Sequence, residues 1–307
     1  KNKKDLFPFI ILIICVAGLV FVIKSNSIDI GLFNWKYLGI YIIITVSCQF
    51  LAAMRTPIIL GSKQYIKSFY IQAAAFVTGS PTPIKLGIPL KIYLFKKYLN
   101  IPIIKTTSAI LYELLIRIIV LLLLGLSFSG WQYFNEINYF FIPLLFISPI
   151  IIMLLFRNIK GGLIDRVKLK LSELIDVFKH MISSRDLTVK ILIIQIIIQL
   201  AFILRIKLLL NGIGDESLTL LEISRAIIIT GLITTLSMIP GGYGIKEISL
   251  IYLLQLEGLD YSNSIFISLA DRSLQIGISM ILGIFSSIYF SKFNTRNVRL
   301  KNVWYHR

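Results

Sequence analysis

Long runs of hydrophobic residues separated by short polar stretches set the pattern of this chain. Six of these runs approach the ~20 residues that an α-helix needs to cross a bilayer. We therefore predict an all-α, polytopic membrane protein with a single membrane domain, residues 1–307, and about six spanning helices. The predicted spans are Leu6–Ile23, Tyr37–Met54, Ile103–Leu126, Tyr139–Phe156, Ile191–Leu210 and Ser264–Phe290.

Two further apolar regions are broken where hydrocarbon should surround them. The stretch Pro240-Gly241-Gly242-Tyr243-Gly244-Ile245-Lys246-Glu247 separates two short runs, and Thr78–Gly87 separates Phe69–Val77 from Ile88–Tyr98. Broken backbone is tolerated at membrane depth only where protein buries it or water lines it. We interpret both regions as re-entrant helical hairpins. A short turn between two poor spanning helices is the alternative for residues 240–247.

Composition and charge agree with a membrane protein. The chain is 56% hydrophobic, and its mean hydropathy of +0.83 is too high for a soluble domain of this length. The net charge is +17, and the basic residues cluster between the apolar runs. This distribution indicates cytoplasmic loops that face an anionic inner leaflet rather than nucleic-acid binding. We expect a plasma-membrane protein with both termini in the cytoplasm and a cytoplasmic loop at 157–190, including an amphipathic helix around Leu163–Met181.

Two cationic residues fit this topology badly. Arg205 and Lys207 lie near the outer end of their predicted span. Long basic side chains can reach the interface from inside the membrane, which is one interpretation of these two. The alternative is that the topology is shifted in this region. Cys15, Cys48, His180 and His306 are isolated, so we expect neither a metal site nor a cofactor.

The two broken regions occupy corresponding positions in a predicted internal repeat. The two halves of this repeat span about 37–126 and 191–290. Glu113 follows Gly87 by 26 residues, and Asp271 follows Gly244 by 27. The charge bias places the first hairpin in from the cytoplasm and the second in from outside. Two units of like order and opposite orientation form an inverted-topology repeat, which is common in transporters.

Each hairpin would point a helix N-terminus at the membrane midplane, and such N-termini favour anions. Ionisable residues in apolar segments should pair or line a wet cavity. We expect Asp271 and Arg272, which are adjacent and point apart, to take partners from other helices. The candidate substrate-binding residues are Lys85, Gly87, Glu113, Arg117, Gly241, Gly242, Gly244, Lys246, Glu247, Asp271 and Arg272.

Each of these candidates also has a structural interpretation. The glycines can serve helix packing, and the two lysines can reach water. Glu113 and Arg117 are spaced i, i+4 and can pair within their own helix. Glu247 can compensate the helix dipole at its N-terminus.

The stretch Pro240–Glu247, followed by a short helix and the Asp271-Arg272 span, resembles the transmembrane region of lysylphosphatidylglycerol synthases. That family's usual form is P-G-G-x-G-x-R/K-E, and it includes stand-alone flippase-like proteins. The first half is similar in its Pro83–Gly87 loop and in the span with Glu113 and Arg117. It departs from the family at Gly87-Ile88-Pro89, where a G-G-[DE] element is usual.

The resemblance implies lipid translocation. In two-part members a separate soluble domain transfers the aminoacyl group, and we expect no such domain after residue 290. We therefore predict a lipid flippase-like transporter, not an enzyme, that moves an anionic phospholipid or polyprenyl-linked lipid. The alternatives are an integral-membrane enzyme that acts on lipid-linked groups and a non-transporting partner of lipid-synthesis enzymes.

Overall fold

The computed structural model describes residues 34–79, 87–128, 176–179, 181–237 and 244–304, with side chains as far as residue 292. Most of these residues are helical, and none of them lies in a strand. The helices used below are α1 Trp35–Ile59, α2 Tyr65–Gly79, α3 Gly87–Leu99, α4 Ile103–Phe128, α5 Arg185–Gly212, α6 Leu220–Leu236, α7 Ile245–Leu256 and α8 Tyr261–Trp304.

Four of these helices are long and apolar enough to cross a membrane: α1, α4, α5 and, in α8, Tyr261–Lys292. They confirm four of the predicted spans and extend each by a few residues. At most 39% of each apolar window is buried inside the protein, so most of each window is available to lipid. The predicted spans 6–23 and 139–156, and nearly all of the predicted loop helix, lie outside the described residues.

Local signals explain where several helices begin. The Asn34 side chain accepts a hydrogen bond from the Lys36 amide at 3.2 Å at the start of α1. Thr219 and Glu222 form a reciprocal capping box at the start of α6. The α7 helix begins at Gly244, whose φ of +78° suits glycine. The amide of Gly244 donates to Glu247 Oε2 at 2.8 Å, which caps the helix from within.

The described helices follow one order twice: long, short, short, long. Helices α1–α4 make the first set and α5–α8 the second, close to the predicted repeat halves 37–126 and 191–290. The two sets are joined by α1 and α5, which run antiparallel. The Asn34 amide at the start of α1 donates to the Gly212 carbonyl at the end of α5, at 2.9 Å. The main apolar core lies among α5, α6, α7 and α8 and includes Tyr41 of α1.

The two pairs of short helices open at opposite ends of α8. In the second pair, Arg225 of α6 donates a hydrogen bond to Glu257. Glu257 follows the last residue of α7 and lies four residues before the start of α8. In the first pair, Tyr70 of α2 stacks on Tyr289 at a centroid distance of 4.0 Å. Tyr98 of α3 stacks on Phe290 at 4.2 Å. About 30 residues of α8, or ~45 Å of helix, separate the two openings.

The inner ends of both pairs converge on the middle of α8. Lys246, at the start of α7, lies 3.1 Å from Asp271. Val77, near the end of α2, packs against Gly283. These two contact points on α8 are twelve residues apart, which corresponds to ~18 Å along a helix. Residues 80–86 and 238–243, which connect the two helices of each pair along the chain, lie outside the described residues.

A close contact at Gly283 lets α8 pack against α2. A Cβ at Gly283 would lie 2.2 Å from Val77 Cγ2, and valine has little freedom to turn away. We therefore expect Gly283→Ala to destabilise the fold by about 1–3 kcal/mol through overpacking. Thermal unfolding in detergent measures this change.

The matched control is Gly277→Ala on the same helix. A Cβ at Gly277 meets no atom within 4 Å, so alanine there should stabilise α8 by about 0.5–1 kcal/mol. Equal melting temperatures for the two variants would show that α8 does not approach α2 this closely.

The loop between α5 and α6 is tied to the start of α8. Asn263 donates to Asp215 Oδ2 at 2.7 Å, and the Ser217 amide donates to Oδ1 at 3.0 Å. Partial burial opposes ionisation of Asp215, but these hydrogen bonds outweigh it and lower the pKa of the carboxyl below its usual value. The loop is therefore fixed on the side where the α6–α7 pair opens.

Candidate functional site

Asp271, in the middle of α8, is the centre of a buried ionic cluster. Its Oδ1 accepts hydrogen bonds from the Tyr41 hydroxyl at 2.7 Å and from the Arg205 guanidinium. Its Oδ2 accepts from Lys246 Nζ at 3.1 Å and from the Gln275 amide. Asp271 and Arg205 are only 2% and 4% exposed. Four donors from four helices therefore neutralise and hold one carboxylate inside the apolar core.

The next residue of α8, Arg272, faces a different partner. Its Nε lies 3.1 Å from Glu247 Oε1, while the other oxygen of Glu247 caps α7. As predicted, Asp271 and Arg272 take partners from other helices. Since Lys246 and Glu247 both lie in the first turn of α7, these two ion pairs fix that turn against α8.

Glu113, in α4, is the centre of a second buried cluster. Its Oε1 accepts a hydrogen bond from the Thr56 hydroxyl. Its Oε2 lies 3.7 Å from Arg55 Nη2 and 3.7 Å from Lys91 Nζ. Arg55 also donates to Gln195 of α5. Glu113 and Lys91 are each 7% exposed, so both charges are held by one another rather than by bulk water.

The two clusters are built alike. In each, a carboxylate on the closing long helix meets a lysine from the preceding short helix, an arginine from the opening long helix and a hydroxyl from α1. Helices α1 and α5 contribute to both clusters. Tyr41 and Arg55 are fourteen residues apart on α1, so the clusters are separated by ~21 Å along that helix.

An open cavity of about 450 Å³ lies beside the Glu113 cluster. Its charged lining consists of four cations, Arg55, Lys91, Arg117 and Arg272, and one carboxylate, Glu113. The rest of the described lining is Gln72, Ala75, Phe76, Gly87, Ile88, Ile92, Thr107, Ile110, Leu111 and Leu114. Of these, Ile88, Leu111 and Leu114 are exposed on the apolar outer surface. The cavity is therefore positively charged within and apolar at its opening, which matches an anionic headgroup with hydrocarbon tails.

Arg117 is the cation of this lining with no counter-ion among the described residues. It lies one turn from Glu113 on α4, but no ion pair joins them. Its Nε is buried and has no hydrogen-bond partner in the described part of the chain. Its charge is close enough to that of Arg55 for the two to repel. A half-buried guanidinium with a buried, unpartnered Nε requires an anion or water.

The structure divides the described residues of the predicted site between the cavity and the Asp271 cluster. Gly87, Glu113, Arg117 and Arg272 line the cavity, and Glu247 joins the cavity to α7 through Arg272. Lys246 and Asp271 belong to the second cluster, and Gly244 starts α7. Lys85, Gly241 and Gly242 lie outside the described residues.

Two interpretations from the sequence are wrong. Glu113 does not pair with Arg117 in its own helix, because Arg55 and Lys91 occupy the carboxylate. Arg205 does not reach the outer interface, because Asp271 binds it in the core. Its neighbour Lys207 is half-buried and donates to the Leu218 carbonyl at 2.9 Å. Arg205 is therefore the counter-ion of Asp271. Since it lies in a helix within the core and not in a loop, the preference of basic residues for cytoplasmic loops does not apply to it.

Seven polar residues of the two clusters were absent from the predicted site: Tyr41, Arg55, Thr56, Lys91, Gln195, Arg205 and Gln275. The two glutamines lie inside apolar runs, and that position was a usable signal. Lys91 lies in Ile88–Tyr98, the second arm of the first predicted hairpin, and was given no role there. Among the described residues, no group of three or more His, Cys, Asp or Glu could hold a metal ion.

Comparison with known proteins identifies a family. The model of the family described as the lysylphosphatidylglycerol synthase transmembrane region matches residues 6–283. This match covers both ionic clusters and the cavity. No curated protein and no solved structure matches the chain.

Proposed function

Because the chain belongs to the family of lysylphosphatidylglycerol synthase transmembrane regions, we propose that it is a flippase-like transporter of anionic lipids. The family and the apolar helices make it a multi-pass integral membrane protein that acts on lipids. The observation that carries the proposal is the cavity beside Glu113, with four cations against one carboxylate and an apolar opening. It suits a phosphate at the inner end and acyl or polyprenyl chains in the bilayer.

The arrangement of the short helices supports alternating access. We interpret α2–α3 and α6–α7 as re-entrant hairpins that enter from opposite faces of the membrane. Their openings at opposite ends of α8 support this interpretation. The contact that each inner end makes with the middle part of α8 supports it as well. Two such units form the inverted repeat in which rocking of one half against the other exposes a central site to each side in turn.

The proposal places the protein in the plasma membrane with both termini in the cytoplasm. It needs no covalent step, so we propose transport rather than enzymatic activity. The basic loops favour an anionic inner leaflet as the adjoining surface. Lipid-synthesis enzymes are candidate partners, since they supply or consume the lipid that moves.

Vesicles containing the purified protein test this function. A fluorescent phosphatidylglycerol is placed in both leaflets, and dithionite quenches only the label in the outer leaflet. We expect the inner-leaflet label to become accessible faster than in protein-free vesicles. Equal rates would contradict transport, and a new product formed from a lipid-linked donor would indicate an enzyme instead.

A blocking variant links any transport to the cavity. Thr107 lines the cavity, so Thr107→Trp should fill it and slow transport at least about tenfold, or by about 1.4 kcal/mol in activation free energy. Ile103→Trp is the matched control, because Ile103 lies one turn away on α4 and is 48% exposed. Equal rates for the two variants would show that lipid does not pass through the cavity.

A further inference from the structure

We infer that the cavity selects a phosphate headgroup that bears hydroxyls and no amine. Aminoacylated forms of the same lipid are then poor substrates. This inference rests on the proposed function and specifies its substrate class. It concerns the cavity alone, and it departs from the lipid in the family's description, which carries a lysyl group.

The balance of charge in the cavity is the first observation. Arg272 pairs with Glu247, so these two charges cancel. The remaining described lining has three cations, Arg55, Lys91 and Arg117, against the single carboxylate of Glu113. The excess of two positive charges attracts a phosphate and repels a headgroup that carries ammonium groups, most strongly where water is scarce.

The second observation is that Glu113 cannot receive an amine without losing its present partners. One of its oxygens accepts from Thr56, and the other lies 3.7 Å from both Arg55 and Lys91. An incoming ammonium would have to displace a cation into the low-dielectric interior. No other described lining residue carries a negative charge.

The third observation is a pair of buried groups with no partner among the described residues. Arg117 Nε is a donor without an acceptor, and Gln72 Oε1 is an acceptor without a donor. Both residues line the cavity. Buried polar groups are normally hydrogen-bonded, so a ligand that satisfies both should bind well. A phosphate oxygen fits Arg117, and a hydroxyl of glycerol or a sugar fits Gln72, because a neutral amide oxygen suits a hydroxyl without requiring charge.

The test compares three labelled lipids with identical chains in the vesicle assay: phosphatidylglycerol, its lysyl ester and phosphatidylmethanol. Phosphatidylmethanol keeps the phosphodiester charge but has no hydroxyl. We expect phosphatidylglycerol to move at least about tenfold faster than the lysyl ester, because the excess positive charge repels the ammonium groups. We expect it to move severalfold faster than phosphatidylmethanol, because that lipid loses a neutral hydrogen bond.

Two variants assign these preferences to residues. Arg117→Gln should reduce the ratio of phosphatidylglycerol to lysyl ester, whereas Arg117→Lys, which keeps the charge, should retain most of it. Gln72→Leu should remove only the preference over phosphatidylmethanol. The control is Lys105→Gln, because Lys105 is exposed on α4 and does not line the cavity; both ratios should stay unchanged.

A second readout separates this inference from the proposed function. Added phosphatidylglycerol should raise the melting temperature of the purified protein more than its lysyl ester does, and Arg117→Gln should remove the difference. If no lipid moves but this difference in stabilisation persists, transport is wrong and the headgroup preference stands. If lipids move and the lysyl ester is equal to or faster than phosphatidylglycerol, the preference is wrong and transport stands. If no lipid either moves or stabilises the protein, both are wrong.

Discussion

Replacing Asp271 with asparagine should lower the stability of the folded protein by about 3–5 kcal/mol, the usual cost of removing one partner from a buried ion pair. Asp271 is 2% exposed and accepts hydrogen bonds from four side chains. The amide keeps the shape but removes the charge. Arg205 would then be left in the core without its counter-ion. Thermal unfolding in detergent, with size-exclusion chromatography to detect folded protein, measures the loss.

Glu257→Gln is the control for this prediction, since it also changes an ion-paired carboxylate to an amide. The Glu257 side chain is only 4% exposed, but its partner Arg225 is 20% exposed, against 5% for Arg205, and can reach water once the carboxylate is lost. We therefore expect a smaller loss of about 1–3 kcal/mol. Adding Arg205→Gln to Asp271→Asn should restore part of the stability, because the stranded guanidinium is removed while Lys246, 25% exposed, can rehydrate. Equal losses at Asp271 and Glu257 would contradict the central position of the Asp271 cluster.

The spanning helices could be predicted from the sequence because hydrophobicity over ~20 residues is a local property. Each of the four spans in the described residues was placed within a few residues of its observed ends. The short helices could be predicted for the same reason, since proline and glycine interrupt apolar runs near Gly87 and Gly244. The similar order of the two sets of helices was indicated by the spacings from these glycines to Glu113 and Asp271, which are 26 and 27 residues.

The partners of the buried charges could not be predicted in the same way. Arg55 and Glu113 are 58 residues apart in the sequence, and Arg205 and Asp271 are 66 apart. Only the packing of whole helices brings such residues together. Sequence spacing favoured Arg117 as the partner of Glu113 because i, i+4 neighbours are close on any helix. In the fold, α1 and α3 supply better-placed cations to Glu113 and leave Arg117 to the cavity.

Tyr41 shows a different limit of sequence reasoning. A tyrosine in an apolar run is ordinary and gives no sign of a polar role. Its hydroxyl reaches Asp271 only because α1 packs against α8 beside that residue. Arg205 was misplaced for a related reason: a cation near the end of a span looks interfacial until the helix that carries its counter-ion is known. Contacts between separate helices, both within and between the two sets, therefore determine most of the cluster residues that were not identified from the sequence.

Replacing Glu113 with glutamine should strengthen the binding of anionic lipid and slow its movement, each by about tenfold, or about 1.4 kcal/mol. Glu113 is the carboxylate that shares Arg55 and Lys91 with the cavity. In the proposed mechanism a lipid phosphate competes with it for these cations. Without the carboxylate the phosphate is held more tightly and has no competitor to release it. Titration of the melting temperature with phosphatidylglycerol measures binding, and the dithionite assay measures movement.

The opposite signs of these two effects distinguish competition from simple damage to the fold. A misfolded variant would lose both binding and movement. Glu113→Asp keeps the charge on a shorter side chain, so we expect it to lie between the wild type and Glu113→Gln in both measurements. Glu113 lies 3.7 Å from Arg55 and Lys91, beside an open cavity. Water can therefore hydrate these two cations after the carboxylate is lost, more easily than it can hydrate the partners of Asp271. Weaker lipid binding by a folded Glu113→Gln protein would overturn the competition mechanism.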